Sequence, residues 1–426
     1  MNRPDSRPPV DRLAVLAQYE QHVNSGLAKL ARFANLPVEV RSEGNLVYNE
    51  QGEAFLNCGG YSVFLLGHRH PAVTEAVKAQ IDRHPLTTRV LLNPELAQAA
   101  TDLAEIAPTG LEYVCFTNSG AEAVEVGLKL ARLNGKRKLI AAQGGFHGKT
   151  LGALSVTGRA HFQEPFAPLL ADVEFVPYGD ASALETALRA SAGESCVILE
   201  PVQGEAGVII PPEGYLREVT RLCSLHGALL ILDEIQTGLG RLGVWWGCER
   251  EGVVPDILLT GKVLSGGVVP VGAAVTSAEI YAGINRDPFL HSSTFAGNPL
   301  AMSAVIATIE TIKREDLVSK ADRLGKTILE SLKAILGELC PGLVVEVRGV
   351  GLLIGVEFTE DHIAADFILE LMQRKVVLSN SLNSSRVARL TPPALLTESD
   401  LEWLYKAVRG AAASLSKRYA PALVQG

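Results

Sequence analysis

The sequence predicts an α/β fold on a mostly parallel sheet, and three observations carry that expectation. Short apolar runs alternate with helical periods through the middle of the chain. Two of these runs end on small polar or acidic residues, at Asn118-Ser119-Gly120 and at Asp233-Glu234. The chain has 426 residues, 47% of them hydrophobic and 20% charged, which is ample for a large core. At about 150 residues per domain, two or three domains are expected.

The elements follow in order. The first ten residues hold three prolines and read as a loose arm. Order is expected from Asp11, with Leu13, Leu16, Ala17 and Tyr19 on one helix face. Leu46 to Tyr48 and Ala54 to Leu56 read as two strands around a turn at Asn49 to Gly52. Strands are then expected at Tyr113 to Phe116, Lys138 to Ala142, Cys196 to Leu199, Ala228 to Leu232, Ile257 to Leu259 and Val271 to Val275. Helices such as Ala121 to Leu133 and Leu216 to His226 lie between them. After Pro299 the pattern is helix-rich to about Leu336, followed by strands Val344 to Val347 and Leu352 to Phe358. A final helix opens at the capping-box pattern Ser399-Asp400-Leu401-Glu402. This divides the chain into an N-terminal arm, helix and small β segment (1–60), a large domain (61–305) and a smaller α+β domain (306–426).

Composition removes several function classes. With 39 Lys+Arg against 47 Asp+Glu the formal charge is −8 and no basic stripe forms, so no nucleic-acid partner is expected. No window approaches the ~20 apolar residues of a membrane span, and Leu13 to Leu16 is too short for a signal-peptide core. A soluble, cytoplasmic protein is expected. The six cysteines lack CxxC spacing, which indicates neither zinc nor a disulfide framework. His68-Arg69-His70 has no carboxylate at ligand spacing and Pro71 follows as a helix start, so no metal site is expected there.

Four constellations carry chemistry. Ser119-Gly120-Ala121 opens a helix after a strand, where unpaired N–H groups bind anions; the plainer reading is Ser119 as an N-cap. Asp233 ends a buried strand, where ligands of open α/β sheets gather, or it caps the next turn. Gly238, Gly240 and Gly243 spell GxGxxG, a weak dinucleotide signal because Val244-Trp245-Trp246-Gly247 makes a poor helix. Lys262 follows an apolar strand, where desolvation turns an amine into a nucleophile able to form a Schiff base; a snorkelling structural lysine is the alternative. Phe146 and His147 offer ring faces to a planar ligand, against core packing as the default. The following Gly148-Lys149-Thr150 has the wrong glycine spacing for a nucleotide phosphate loop. An anion-binding helix start, a ring platform, a strand-end acid and a buried lysine are together the parts that hold pyridoxal phosphate.

From about Asn57 to Pro393 the chain resembles the class III, ornithine and putrescine type, aminotransferases of the fold-type I pyridoxal-phosphate enzymes. The resemblance rests on Gly67-His68-Arg69-His70-Pro71, Asn118-Ser119-Gly120-Ala121-Glu122-Ala123 and Phe146-His147-Gly148-Lys149-Thr150. It continues through Glu200-Pro201-Val202-Gln203-Gly204-Glu205, Leu232-Asp233-Glu234-Ile235-Gln236-Thr237-Gly238, Gly261-Lys262 and His291-Ser292-Ser293-Thr294-Phe295-Ala296-Gly297-Asn298-Pro299. It implies a seven-stranded large domain and pyridoxal 5'-phosphate held covalently by Lys262, with Asp233 on the ring nitrogen. By the same resemblance Gln236 meets the ring's phenolic oxygen, Phe146 stacks on the ring with His147 beside it, and Ser119, Gly120 and Ala121 bind phosphate. Thr294, with Ser293 next to it, would come from the other subunit of a homodimer that shares its sites.

The resemblance also bears on substrate. Arg389, before Pro392-Pro393, would bind the carboxylate of a 2-oxo acid and be masked by Glu205 while the amine occupies the site. Lys149 stands where the ornithine type has an arginine for the donor's α-carboxylate, and Phe33 where it has a tyrosine. Tyr61 matches a second donor-side tyrosine. These departures favour a donor without an α-carboxylate, as in putrescine aminotransferases, with 2-oxoglutarate as acceptor. Ornithine, lysine or 4-aminobutyrate as donor, or amination of an aldehyde intermediate, are the alternatives with the same chemistry. A decarboxylase or racemase, or a protein that kept the fold without activity, are the more distant ones.

Overall fold

The computed structural model describes residues 9–423, with side chains through Tyr419. The arm expected at the N-terminus therefore lies almost wholly outside the described residues. The first helix, Arg12–Gln18, starts where expected because the Asp11 carboxylate accepts from Leu13 N at 2.9 Å. A second helix, Ser25–Phe33, was not expected from the sequence; Asn24 caps it by accepting from Leu27 N.

Strands β1 (Glu39–Glu43), β2 (Leu46–Asn49) and β3 (Ala54–Asn57) form an antiparallel meander. The sequence showed only the last two, because polar β1 is an edge strand without an apolar run.

The central sheet contains β4 (Tyr113–Thr117), β5 (Lys138–Ala142), β6 (Val173–Val176), β7 (Ser195–Leu199), β8 (Leu229–Asp233), β9 (Ile257–Thr260) and β10 (Gly272–Thr276). Its order is β4-β10-β9-β8-β7-β5-β6. The pairs β5–β6, β5–β7, β7–β8 and β8–β9 are parallel, while β10 runs antiparallel to both β4 and β9. Thus the mostly parallel seven-stranded sheet is present. Six of its strands lie within a residue or so of the runs read from the sequence; β6, a half-exposed edge, carries Glu174 in place of an apolar run. Alternation along each inner strand sends Leu199, Leu230, Leu232 and Leu258 to one face and Ile198, Ile231, Ile257 and Leu259 to the other. Both faces are covered, which is why these strands read as continuous apolar runs.

The helix-rich stretch is two helices, Pro299–Arg314 and Leu317–Leu339, separated at Asp316 in left-handed backbone (φ 50°). Strands β11 (Val344–Val350), β12 (Leu353–Phe358), β13 (Val376–Val377), β14 (Ser379–Asn380) and β15 (Val387–Leu390) follow. They build a β11-β12-β15-β14 sheet, except that β13 adds in parallel to β3 and ties the C-terminal region to the N-terminal meander.

The final helix, Glu398–Leu423, starts earlier than the sequence implied. Its reciprocal cap is Thr397 with Asp400: Thr397 N and Oγ1 donate to Asp400 Oδ2 at 2.9 and 2.8 Å, and Asp400 N donates back to Thr397 Oγ1. Among the described residues no helix is long and apolar enough to cross a membrane.

Candidate active site

The central strands end in one place. Asp233 closes β8, Glu200 follows β7, and Lys262 follows β9 in left-handed backbone (φ 45°). Each is delivered by a strand whose apolar residues fix its depth and register. Asp233 is 3% exposed; its Oδ2 accepts from His147 Nδ1 at 2.7 Å and its Oδ1 from Ile235 N at 3.1 Å. Burial alone would depress the His147 pKa, but the Asp233 hydrogen bond and charge outweigh it and hold the imidazole above its ordinary value.

His147 is thus tied through its ring edge to Asp233. It backs the strand-end acid, and its Nε2 is buried without a partner among the described residues. Phe146, in the same loop, is half-buried, its N–H donating to Glu200 Oε1 at 2.9 Å. Glu200, whose pKa burial pushes up to about 7, also accepts from Gly204 N at 3.2 Å. The same strand-end signal that flagged Asp233 marks Glu200, to which the sequence reading gave no role.

Burial draws the Lys262 pKa down, opposed by the charges of Glu205, Asp233 and Glu200 and reinforced by Arg389. Those five groups occupy one neighbourhood. Arg389 Nη1 forms an ion pair with Glu205 Oε1 at 2.7 Å, both side chains nearly or wholly buried, and none of the three guanidinium nitrogens has a well-aligned hydrogen-bond partner among the described residues. Gln236 Nε2 donates to the same Glu205 oxygen at 3.4 Å. A Cβ at Gly204 would lie 1.7 Å from Gln236 Oε1, so the Gln236 amide rests directly on the Gly204 backbone.

Tyr61 is beside this pair, its ring centroid 5.5 Å from the Arg389 guanidinium carbon. Its loop is held by Thr391, whose Oγ1 donates to Gly59 O and accepts from Ser62 N. Beneath it, wholly buried Arg241 donates to the carbonyls of Ser62, Leu352 and Pro392, at 3.2, 3.2 and 2.6 Å. Burial pushes its pKa down to about 9. Neither Thr391 nor Arg241 carried a signal in the sequence. His68, read as structural, accepts from Asn57 Nδ2 at 2.7 Å and stacks on Phe64; burial keeps it neutral, with a pKa of about 4.

Ser119 caps the helix Gly120–Leu133, its Oγ accepting from Glu122 N at 3.2 Å. The cap and anion-site readings are compatible, because the N–H groups of Gly120 and Ala121 have no acceptor a turn back in the helix. A Cβ at Gly148 would lie 2.8 Å from Ala121 Cβ, so the Phe146 loop packs directly on this helix start. Ser293 Oγ accepts from Asn118 Nδ2 at 2.9 Å, and the neighbouring Thr294 is exposed.

Two expected substrate residues stand apart. Phe33 is 84% exposed at the end of its helix, in a groove with Arg12, Asn49 and Lys375, and this chain does not bring it to Lys262. Its helix turns its apolar residues outward, which a linear alignment cannot show. Lys149 is exposed, with its ammonium 4.2 Å from the Phe162 ring centroid. The GxGxxG run forms turns and opens no helix, which removes the dinucleotide reading.

A buried strand-end acid, a lysine in a desolvating pocket and a helix start with free N–H groups fit pyridoxal 5'-phosphate in donor set. The family model for class-III aminotransferases matches residues 32–411. The chain belongs to that family. It is an enzyme that transfers amino groups, of fold-type I, with pyridoxal 5'-phosphate as cofactor. Among similar solved structures is an ornithine aminotransferase from Toxoplasma gondii: 30% identity, TM-score 0.85, 96% of this chain and 99% of that one. An acetylornithine aminotransferase from Elizabethkingia anophelis is 31% identical, TM-score 0.82, over 94% and 99%. An (S)-enantioselective omega-transaminase from Thermomicrobium roseum is 27% identical, TM-score 0.88, over 96% and 100%.

Proposed function

We propose that this aminotransferase moves the terminal amino group of a diamine such as putrescine or cadaverine to 2-oxoglutarate, giving an aminoaldehyde and glutamate. The observation that carries the reading is the buried Glu205–Arg389 pair. A buried cation neutralised by a movable acid suits a pocket that must accept an amine and then an oxo-acid carboxylate. Exposed Lys149, without the fork of an arginine, supports a donor lacking an α-carboxylate.

Lys262, Asp233, Gln236 and the Ser119–Ala121 helix start would hold pyridoxal 5'-phosphate, which when bound would supply the electron sink for the transfer. Lys262, with its lowered pKa, takes and returns the proton at the substrate's amine-bearing carbon, a step worth ~10²–10⁴-fold. Asp233, backed by His147, would keep a proton on the cofactor's ring nitrogen. Phe146 would cover one face of that ring. Glu205 withdraws from Arg389 to let the oxo acid's carboxylate in, and Tyr61 walls the donor side.

The working unit in this reading is a cytoplasmic homodimer with shared sites, and the division at residues 60 and 305 is part of it. Support comes from Val90, Leu91, Leu92 and Phe289, which are 87%, 75%, 102% and 88% exposed in two adjoining segments. Arg89 and Asn93 join those segments through the carbonyls of Ala296 and Gly297, beside Thr294. Such an apolar surface calls for a second copy. Six unpaired cysteines agree with a reducing compartment.

The test is single-turnover absorbance: yellow holoenzyme mixed separately with putrescine, cadaverine, ornithine and 4-aminobutyrate. Faster bleaching by the diamines is expected; a faster reaction with ornithine overturns the donor assignment.

A further inference from the structure

Glu205 is held by more than Arg389. Its Oε2 accepts from Leu382 N at 3.0 Å, and its carbonyl accepts from Asn383 N at 2.9 Å. The segment around these amides, Ser381–Asn383, lies between the short β14 and β15 and has no ladder partners of its own. It is fastened from outside. Asn383 Nδ2 donates to Gly144 O at 2.8 Å, and Arg159 Nη1 donates to Leu382 O. The Arg159 guanidinium also stands 5.3 Å from the Phe162 ring, the ring that carries Lys149.

We propose that Ser381–Asn383 is a strap that sets how readily Glu205 leaves Arg389, with Arg159 and Asn383 as its positioning residues. The inference rests on the acceptor reading above and deepens it. When Glu205 turns away from Arg389, its carboxylate also gives up the Leu382 N–H. The strap therefore stabilises the masked state alone, and the oxo acid binds only the fraction of enzyme that is unmasked. Loosening the strap raises that fraction, tightening apparent binding of the oxo acid while the amine half-reaction, which proceeds with Arg389 masked, changes little. Arg159 and Asn383 act through Glu205 and touch neither substrate nor cofactor in this account.

The experiment compares wild-type holoenzyme with Arg159→Met and Asn383→Ala. Freeing the strap from these anchors weakens the Leu382 N–H bond that holds Glu205 in the masked state, and should lower the apparent Kd for 2-oxoglutarate by about threefold to tenfold in single turnover of the aminated enzyme. Binding of glutarate, measured by calorimetry, should tighten in the same proportion, and the amine rate should stay within about twofold. Hydrogen exchange gives a readout independent of turnover: amides of residues 381–383 should exchange faster in both variants, and in wild type on adding glutarate. Faster exchange with unchanged or weaker oxo-acid binding overturns the strap, as do equal losses in both half-reactions. Protected amides in Arg159→Met, with normal wild-type turnover, overturn it too. A wild-type enzyme that accepts amine but neither binds nor reacts with 2-oxoglutarate overturns the acceptor reading itself.

Discussion

Asp233 and Lys262 stand at the ends of β8 and β9, strands at the centre of the sheet, whereas Phe33 and Lys149 stand on a surface helix and an exposed loop. The chemical end of the site takes its geometry from the core. Shifting Asp233 by one residue would move Leu232 and Ile231 to the wrong faces, so burial itself holds the acid in place. The two surface positions have no such constraint: Lys149 meets one ring and Phe33 lies in an open groove. Surface positions of this kind change with little consequence for folding, which is how one scaffold serves many amines.

The largest expected effect is on the core side. Lys262→Ala should lower the amine half-reaction by at least about 10²–10⁴-fold in single turnover, with the fold retained by circular dichroism. Arg389→Met should come next. It leaves the Glu205 carboxylate buried and unpaired, so thermal stability falls by about 3–5 kcal/mol and the oxo-acid half-reaction is lost more than the amine one. A stability gain would show that the pair is not masked in solution.

Glu200 gives an intermediate effect with a defined sign. Its folded pKa, raised to about 7 by burial, exceeds its unfolded value, so its contribution is full below the unfolded pKa and disappears as pH rises through about 7. His147, also raised, acts in the same direction. Melting temperature should fall between about pH 5, near the unfolded carboxyl value, and about pH 7, and Glu200→Gln, which cannot ionise, should flatten that slope. Smallest are the changes at the donor end. Lys149→Arg should improve single-turnover rates on ornithine by a few fold and leave putrescine near its starting value. Phe33→Tyr should change neither, and an effect there would show that the partner chain brings residue 33 to the site.

What could be read beforehand follows the same division. Long buried strands advertise themselves as apolar runs, and Asp233, Lys262 and Ser119 are legible because they follow such runs. Glu205 and Arg389 were matched through resemblance, and the structure pairs them. Polar edge β1, edge strand β6 with Glu174 interrupting its apolar residues, and the helix after Asn24 left no continuous run to read. The cap at Thr397 was displaced because Ser399 and Thr397 offer the same hydroxyl chemistry two residues apart. Arg159, Arg241 and Thr391 act on backbone carbonyls or amides far along the chain, and such partners have no residue type to recognise.

Arg241 shows what that distance does to folding. Its charge is wholly buried, and the groups that compensate it come from three stretches, near residues 62, 352 and 392. A fragment ending before the last of these would strand a cation in an apolar interior, at a cost of several kcal/mol. Intermediates that have closed the sheet but not yet docked the C-terminal strands are disfavoured for the same reason. The arginine thereby couples remote parts of the chain into one cooperative transition, and shortened versions of this enzyme should unfold as a whole and not merely lose an end.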